Sequence, residues 1–139
     1  MSVERNKALY RRWIDEVWTR GDFRHLDDFH HPDSLNHDFA PGTPPGPEGV
    51  RAVVTRIRTA FPDHVFTVED VIGEGDKVVG SWTGRGTHLG EWRSRRGTFP
   101  PTGRPVVWRG IDILTIREGK IAELRDIETW LELVEQLRA

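Results

Sequence analysis

The sequence has no cysteine among its 139 residues. This absence excludes disulfides, thiolate zinc sites, iron–sulfur clusters and cysteine nucleophiles. No apolar run of about 18 residues occurs, and residues 1–6 form no apolar signal core, which predicts a soluble protein of the cytoplasm. The chain also lacks an excess of one charge: its net charge of −2 favours neither nucleic acid nor a membrane as a partner.

The composition is instead that of a compact domain. Apolar residues make up 36% of the chain, and they include six tryptophans and six phenylalanines. A chain of this length buries roughly two thirds of its unfolded surface when it folds. We therefore predict one domain over residues 1–139.

The first part of the chain has the apolar spacing of helices. Residues 3–20 carry one apolar stripe, and Asp22 is placed to cap a short second helix. A short strand is predicted over residues 35–39. The Pro- and Gly-rich residues 41–46 are predicted to be a loop, and Pro47 is predicted to be the first residue of a third helix.

From His64 onwards the pattern is that of strands and tight turns. Residues 89–104 are rich in Gly, Pro and Arg and predict a long connection. Thr129 and Glu132 have the spacing of a capping box that opens a final helix. The predicted strands are residues 65–72, 77–88, 106–116 and 121–128. This order predicts an α+β fold in which N-terminal helices cover one face of a strongly curved antiparallel sheet.

The last predicted hairpin determines which residues share a face. If Arg117 and Glu118 form a type I turn and Gly119 takes a bulge position, Ile116 pairs with Lys120. Asp126 then lies opposite Gly110 and Leu124 lies opposite Asp112, so that Asp112 and Asp126 are diagonal neighbours on one face. That face would also carry Trp108, Leu114 and Ala122, whereas Ile111, Ile113, Ile121, Arg125 and Ile127 would point the other way.

The second face is thus also partly apolar. A sheet with helices on one side and an apolar back has to cover that back. We expect a homodimer through the back of the sheet, with coverage by loops as the alternative.

An ordered set of short motifs resembles the SnoaL-like polyketide cyclase family along almost the whole chain. The matching stretches are Gly49-Val50-Arg51, Ala60-Phe61-Pro62-Asp63, Gly73-Glu74-Gly75-Asp76, Gly86-Thr87-His88-Leu89-Gly90, Pro101-Thr102-Gly103-Arg104, Gly110-Ile111-Asp112 and Gly119-Lys120-Ile121-Ala122-Glu123. The resemblance implies the NTF2-like cone, a fold that carries several unrelated functions.

The resemblance also implies site residues. In the cyclases of this family the closing hairpin usually reads Glu-His-Trp-Asp, and its aspartate is the general acid/base of an intramolecular aldol ring closure. This chain has Glu123-Leu124-Arg125-Asp126, so the aspartate matches at Asp126 but Leu124 replaces the usual histidine. The pair Asn36-His37 matches a second family feature, an Asn/Asp-His pair before the Pro/Gly loop.

The chemistry of ring closure fits carboxyl groups in an apolar cone. The reaction needs a base for an acidic carbon proton and a donor for the ketone that becomes an alcohol, and it needs neither metal nor cofactor. Desolvation would raise the pKa of Asp126 towards neutrality, and a nearby Asp112 would separate the two carboxyls into an acid and a base. The alternatives are a strand-end Asp126 bound to a helix terminus or an arginine, and a solvated or arginine-paired Asp112.

Other candidate residues have weaker support. His37 could orient the substrate carbonyl or pair with Asp126, and Asn36 could donate to an enolate oxygen, although both types more often form structural hydrogen bonds. Trp82, Trp92 and Trp108 could stack on a flat aromatic substrate, although most tryptophans belong to the core. We add Leu124 to the expected substrate contacts.

Metal and nucleotide sites are not expected. Histidines and aspartates are frequent between His25 and Asp38, but their spacing follows no established ligand pattern. The glycines at 84, 86 and 90 fail the dinucleotide fingerprint, because the third is misplaced and a strand surrounds them. We expect no metal and no cofactor.

The leading hypothesis is a cofactor-independent polyketide cyclase acting on a small hydrophobic aromatic substrate. A first alternative is a hydroxylase of the same family, which the change at Leu124 and the presence of Asp112 favour. A second is a non-catalytic small-molecule binding protein.

Overall fold

The computed structural model describes residues 2–139, and its helices lie close to the predicted positions, except that the second begins only at Leu26 and is not capped by Asp22. The first predicted helix is confirmed, although its last residues, 14–19, widen into a π-helix. Such π-helical segments are frequent at functional sites. The helices are α1 (Val3–Trp13, continued by the π-helical Ile14–Thr19), α2 (Leu26–Phe29), α3 (Gly46–Ala60) and α4 (Trp130–Arg138).

Five strands form one curved sheet in the order β1-β7-β6-β3-β2, with a separate β4–β5 hairpin beside it. β1 runs parallel to β7, and the other neighbours in the sheet are antiparallel. The strands are β1 (His30–Asn36), β2 (Val65–Glu74), β3 (Lys77–Thr87), β4 (Trp92–Ser94), β5 (Gly97–Phe99), β6 (Pro105–Arg117) and β7 (Lys120–Glu128). The predicted α+β class with helices on a strongly curved sheet is confirmed.

Two strand predictions need correction. The first strand occupies residues 30–36 rather than 35–39, and the predicted connection over residues 89–104 contains the β4–β5 hairpin. β1 includes Pro32, which lacks a backbone N–H and is tolerated there because β1 is an edge strand. The hairpin has only three residues in each strand, too few to give a clear alternation.

The register of the closing hairpin also differs from the prediction. Glu118 and Gly119 have positive φ values of 52° and 76°, the backbone of a two-residue type I′ turn. Arg117 therefore pairs with Lys120, and a bulge follows between Thr115 and Ile116. The combined effect shifts the register, so that Asp112 lies directly opposite Asp126 instead of diagonally.

Side chains alternate between two faces of the sheet, which we call the inner face and the outer face. Along β6 the buried residues are Val106, Trp108, Gly110, Asp112, Leu114 and Ile116. Helix α1 covers this inner face, because an added Cβ at Gly80 of β3 would clash with the ring of Tyr10. Ile121 was expected on the outer face, but it pairs with Ile116 and is buried because of the bulge.

The predicted capping box at the start of α4 does not form, because the side chain of Thr129 makes no hydrogen bond to the helix. Thr129 precedes the helix, but its hydroxyl accepts a hydrogen bond from the backbone N–H of Arg109 at 2.9 Å instead of capping α4. The threonine thus ties the end of β7 to β6. In the part of the chain that the structure describes, no helix has the length and apolar character needed to cross a membrane.

Candidate active site

Asp112 is a buried carboxyl group on the inner face. Its Oδ2 accepts two hydrogen bonds, one from the hydroxyl of Tyr10 at 2.9 Å and one from Nε1 of Trp82 at 3.1 Å. Burial raises the pKa of Asp112 well above its usual range, and the charge of Asp126 raises it further. The same burial and the charge of Asp112 raise the pKa of the Tyr10 phenol.

Asp126 lies on the neighbouring strand directly across from Asp112, and their carboxyls form a hydrogen bond. Burial raises the pKa of Asp126 well above its usual range, and the charge of Glu128 adds to this effect. Its backbone N–H donates to Oδ2 of Asp38 at 2.8 Å, because β1 ends before this position and leaves the β7 edge open. The predicted placement of the two aspartates on one face is thus found.

Glu128 is a third carboxyl in this row, and it is not among the site residues predicted from the sequence. It is the next inner position along β7 and lies opposite Gly110, which has no side chain to compete for space. Burial raises its pKa to about 8, with a hydrogen bond from Asp126 acting in the opposite direction. The alternation that identified Asp126 also selects the residue two positions later, so the pattern could have identified Glu128.

The three carboxyls form a row in which neighbours share hydrogen bonds. Hydrogen bonding to Asp126 raises the pKa of Asp112, and hydrogen bonding to Glu128 raises that of Asp126. Two interacting carboxyls lose their protons in separate steps, so the row provides an acid and a base side by side.

Two cavities lie on the inner side of the sheet. The smaller one, of about 10 Å³, touches Asp112 and Asp126 and has room for one water at most. The larger one, of about 150 Å³, is lined by Asp126, Glu128, Trp92 and Arg56 together with residues of the β4–β5 hairpin. A cavity of roughly this size holds one benzene-sized ring.

A third, more open groove of about 590 Å³ lies on the other side of the sheet. The groove reaches Asp126 at one side, and its apolar lining comes from the outer face, including Ile111, Ile113 and Ile127. Asp112 and Glu128 do not line this groove, whereas each of them lines one of the inner cavities. We therefore assign the candidate site to the inner cavities.

The three predicted tryptophans belong to the packed interior around these cavities. Trp82 donates to Asp112, and Trp92 lines the larger cavity. Trp108 packs edge-on to Trp82 at a centroid distance of 6.5 Å and stacks with Trp130 at 6.4 Å. Trp92 also stacks with Trp130, at 5.4 Å, so an aromatic wall bounds the site.

His37, Asn36 and Leu124 are not part of the site geometry. Nε2 of His37 lies 2.9 Å from Oε1 of Glu123, a partly exposed residue that alternates with the inner positions of β7, so His37 does not pair with Asp126. Asn36 donates to the carbonyl of Gly46 at 3.1 Å and holds the start of α3. Leu124 is buried opposite Leu114 and lines none of the three cavities.

The histidines that precede α3 each contact a different part of the protein and do not come together in one site. His30 accepts a hydrogen bond from Nε1 of Trp13, and His31 contacts the carbonyl of Arg117. His25 lies near Asp28 on the surface. Within residues 2–139, no three side chains of the metal-binding types are placed to hold an ion.

Comparisons with known proteins identify relatives of the whole chain. The sequence matches the family model of the SnoaL-like polyketide cyclases over residues 8–137. No match was found among the curated proteins.

Several solved structures are similar over nearly their full length. TsrD from Streptomyces laurentii is 30% identical with a TM-score of 0.85, and the match covers 99% of this chain and 97% of TsrD. IdmH from Streptomyces antibioticus, described as a candidate polyketide cyclase, is 28% identical with a TM-score of 0.79 and coverages of 95% and 97%. AclR from Streptomyces galilaeus, described as a candidate hydroxylase, is 25% identical with a TM-score of 0.82 and coverages of 99% and 87%.

Proposed function

Because the chain belongs to the SnoaL-like polyketide cyclase family, we propose that it closes a ring in an aromatic polyketide by intramolecular aldol condensation. The observation that carries this proposal is the row of three hydrogen-bonded carboxyls beside a cavity bounded by tryptophans. Asp126 is the central carboxyl of the row, and among the three it alone lines both inner cavities. We assign it the role of general acid/base.

The proposed reaction uses one carboxyl twice. Ionised Asp126 removes a proton from a carbon that lies between two carbonyl groups, and the resulting enolate carbon attacks a ketone of the same molecule. A carbon–carbon bond forms, and the new alkoxide takes the proton back from Asp126, so that the product is an isomer of the substrate. An aspartate with a raised pKa suits both steps, because the proton affinities of donor and acceptor are then closer.

Asp112 and Glu128 support Asp126 from either side. Asp112 keeps its proton and donates to Asp126, which stabilises the ionised form that the first step requires. Oδ2 of Asp112 accepts hydrogen bonds from Tyr10 and Trp82, and these two bonds fix the orientation of the carboxyl group. Glu128 has the opposite effect on Asp126 and raises its pKa.

The reacting end of the substrate has to be small. The cavity beside Asp126 has room for about one aromatic ring, so the remaining rings of a polycyclic substrate would extend past the β4–β5 hairpin. The tryptophan wall offers flat surfaces for the ring inside the cavity.

Hydroxylation of a similar substrate is the second candidate function. Leu124 stands where the family motif usually has a histidine, and it is buried against Leu114, so no imidazole precedes Asp126 on the inner face of β7. AclR, which matches 99% of this chain, is described as a candidate hydroxylase. The carboxyl row can assist hydroxylation as well, since enolate formation activates a carbon towards O₂. One oxygen atom would enter the product, and a two-electron donor would reduce the other to water.

The mass of the product distinguishes these functions. We would incubate the protein in air with a panel of aromatic polyketide esters of one to three rings and weigh the products. A new product of unchanged mass is expected, because aldol closure adds and removes no atoms. A product heavier by one oxygen atom would instead assign the protein to the hydroxylases, and binding without any product would identify it as a binding protein.

A further inference from the structure

The larger inner cavity has an unpaired positive charge that the proposed ring closure does not use. Arg56 of α3 lines this cavity and is partly buried. Among residues 2–139 it forms neither a hydrogen bond nor an ion pair. Its Nε is enclosed without a partner, whereas its two terminal nitrogens are not enclosed. A partly buried guanidinium without an acceptor is costly, so this group is suited to an anionic ligand.

Trp92 holds the guanidinium of Arg56 at the cavity wall. The guanidinium carbon lies 5.0 Å from the centroid of the Trp92 ring, which is itself buried and stacked on Trp130. This cation–π contact fixes the position of the charge without consuming its hydrogen-bond donors. The planar fork of a guanidinium matches the two oxygens of a carboxylate.

The other charges around this cavity also favour an anion. Arg95 and Arg96 of the β4–β5 turn line the same cavity, whereas Asp38 contributes a negative charge. Asp126 and Glu128 complete the set of ionisable groups, and burial raises the pKa of both, that of Glu128 to about 8. Below that pH Glu128 keeps its proton, so the lining carries three positive charges against the charge of Asp38 and that of Asp126 when this group is ionised.

We propose that the substrate carries a carboxylate group and that Arg56 binds it in the cavity that Asp126 also lines. The cavity of about 150 Å³ holds one aromatic ring, so the carboxylate and the reacting carbon belong to the same end of the molecule. This inference rests on the proposed function only in taking this cavity as the substrate site.

A pair of isosteric probes tests the charge preference in the unmodified protein. We would titrate the protein at pH 7 with 4-fluorobenzoate and with 4-fluorobenzamide and follow binding by ¹⁹F NMR. The benzoate is expected to bind at least about tenfold more tightly than the amide, because charge-assisted hydrogen bonds exceed neutral ones by this amount. Equal affinities for the two probes, or preference for the amide, would overturn the proposal.

A matched pair of variants assigns the preference to Arg56. The Arg56→Gln variant is expected to bind both fluorinated probes with equal, weak affinity. Arg51→Gln is the control: Arg51 lies on the same helix but contacts Phe23 and Glu48 outside the cavity, so benzoate binding should not change. Tight benzoate binding by Arg56→Gln would contradict the assignment.

The pH dependence provides a second test. Glu128 loses its proton above about pH 8 and then competes with the ligand for Arg56, so benzoate binding is expected to weaken between pH 7 and pH 9. Glu128→Gln should remove most of this weakening, and an unchanged pH profile would contradict the proposed electrostatics. These experiments record binding without turnover, so a failure of ring closure does not affect them, and their failure leaves the role of Asp126 intact.

Discussion

At the scale of single residues, the central feature is a tyrosine and a tryptophan that hold one oxygen of a buried aspartate. Oδ2 of Asp112 accepts both hydrogen bonds, which leaves Oδ1 free to carry the proton shared with Asp126. A buried neutral carboxyl satisfied in this way avoids most of the cost of an isolated buried charge.

Tyr10→Phe tests this arrangement. The change removes the hydroxyl and leaves the ring in place, so one of two hydrogen bonds to Oδ2 is lost. We expect the free energy of unfolding to fall by about 1–3 kcal/mol, as for other buried hydrogen bonds to carboxyl groups. Urea unfolding monitored by tryptophan fluorescence measures this change in the free energy of unfolding. An unchanged stability would contradict a structural role for the hydroxyl.

Glu128 makes stability dependent on pH. The folded protein keeps its proton up to about pH 8, whereas the unfolded chain loses it near pH 4.5, so the unfolded state binds fewer protons in between. The free energy of unfolding should therefore fall as the pH rises from about 4.5 to about 8. Asp112 and Asp126 act in the same direction, because their pKa values are raised too.

Glu128→Gln is the variant that tests this dependence. Urea unfolding at a series of pH values should show a smaller decline for this variant than for the wild type. Glu123→Gln is the matched control, since His37 lowers the pKa of the partly exposed Glu123 and its contribution is lost only in acid. Equal declines for wild type and Glu128→Gln would contradict the assigned ionisation of Glu128.

The sequence predicts part of this site for a clear physical reason. Alternation along β6 and β7 places Asp112 and Asp126 on one face, and this conclusion survives the register shift because the shift is two residues. The contact of His37 with Glu123 could not be predicted, because it depends on where β1 ends beside β7. The same is true of Arg56, whose role depends on packing between α3 and the β4–β5 hairpin.

At the scale of elements, the closing hairpin determines the alignment of the carboxyls. Glu118 is the one residue other than glycine with a positive φ in the part of the chain that is described, and it occupies the first central position of the type I′ turn. Side chains other than Asn and Asp are strained in this conformation. Because Glu-Gly is not one of the preferred type I′ pairs, the sequence predicts a different turn and a different register.

Glu118→Asn should stabilise the protein. Asparagine tolerates the left-handed conformation, and the resulting Asn-Gly turn is the preferred type I′ pair. We expect the free energy of unfolding to rise by up to about 1 kcal/mol. Gly119→Ala is the opposite control and should lower stability by about 1 kcal/mol or more, because φ is 76° there. A loss of stability in Glu118→Asn would argue against the type I′ turn.

At the scale of the whole molecule, the sheet has an apolar outer face. Ile111, Ile113 and Ile127 are 54%, 37% and 78% exposed, and they line the groove on this face. A contiguous exposed apolar patch of this kind is typical of an interface. We propose that a second copy of the chain covers it in a twofold-symmetric homodimer, in which each Ile127 packs into the partner's groove.

Charged substitutions on the outer face test the dimer. Sedimentation velocity is expected to give twice the mass of one chain for the wild type and a single chain for the double variant Ile111→Lys/Ile127→Lys. Leu89→Lys is the control, because Leu89 is similarly exposed but lies outside the groove, and it should remain dimeric. A wild-type protein that sediments as a single chain would refute the dimer.

The overall architecture follows from the sequence more completely than the site does. Apolar periodicity and turn residues specify the long helices and the strands β2, β3, β6 and β7, because each element buries one regular face. The parallel edge strand β1 and the short β4–β5 hairpin carry no such periodicity, and their positions depend on tertiary contacts.

The most direct test of the account compares the rate of ring closure in two variants of the site. Asp126→Asn keeps the shape of the side chain but removes the acid/base, and kcat is expected to fall by about 10²–10⁴-fold. His37→Gln alters a residue that the family resemblance implicates but that the structure places against Glu123, so kcat should stay within about threefold of the wild type. A nearly normal rate for Asp126→Asn, or a large loss for His37→Gln alone, would contradict the assignment of the chemistry to the carboxyl row.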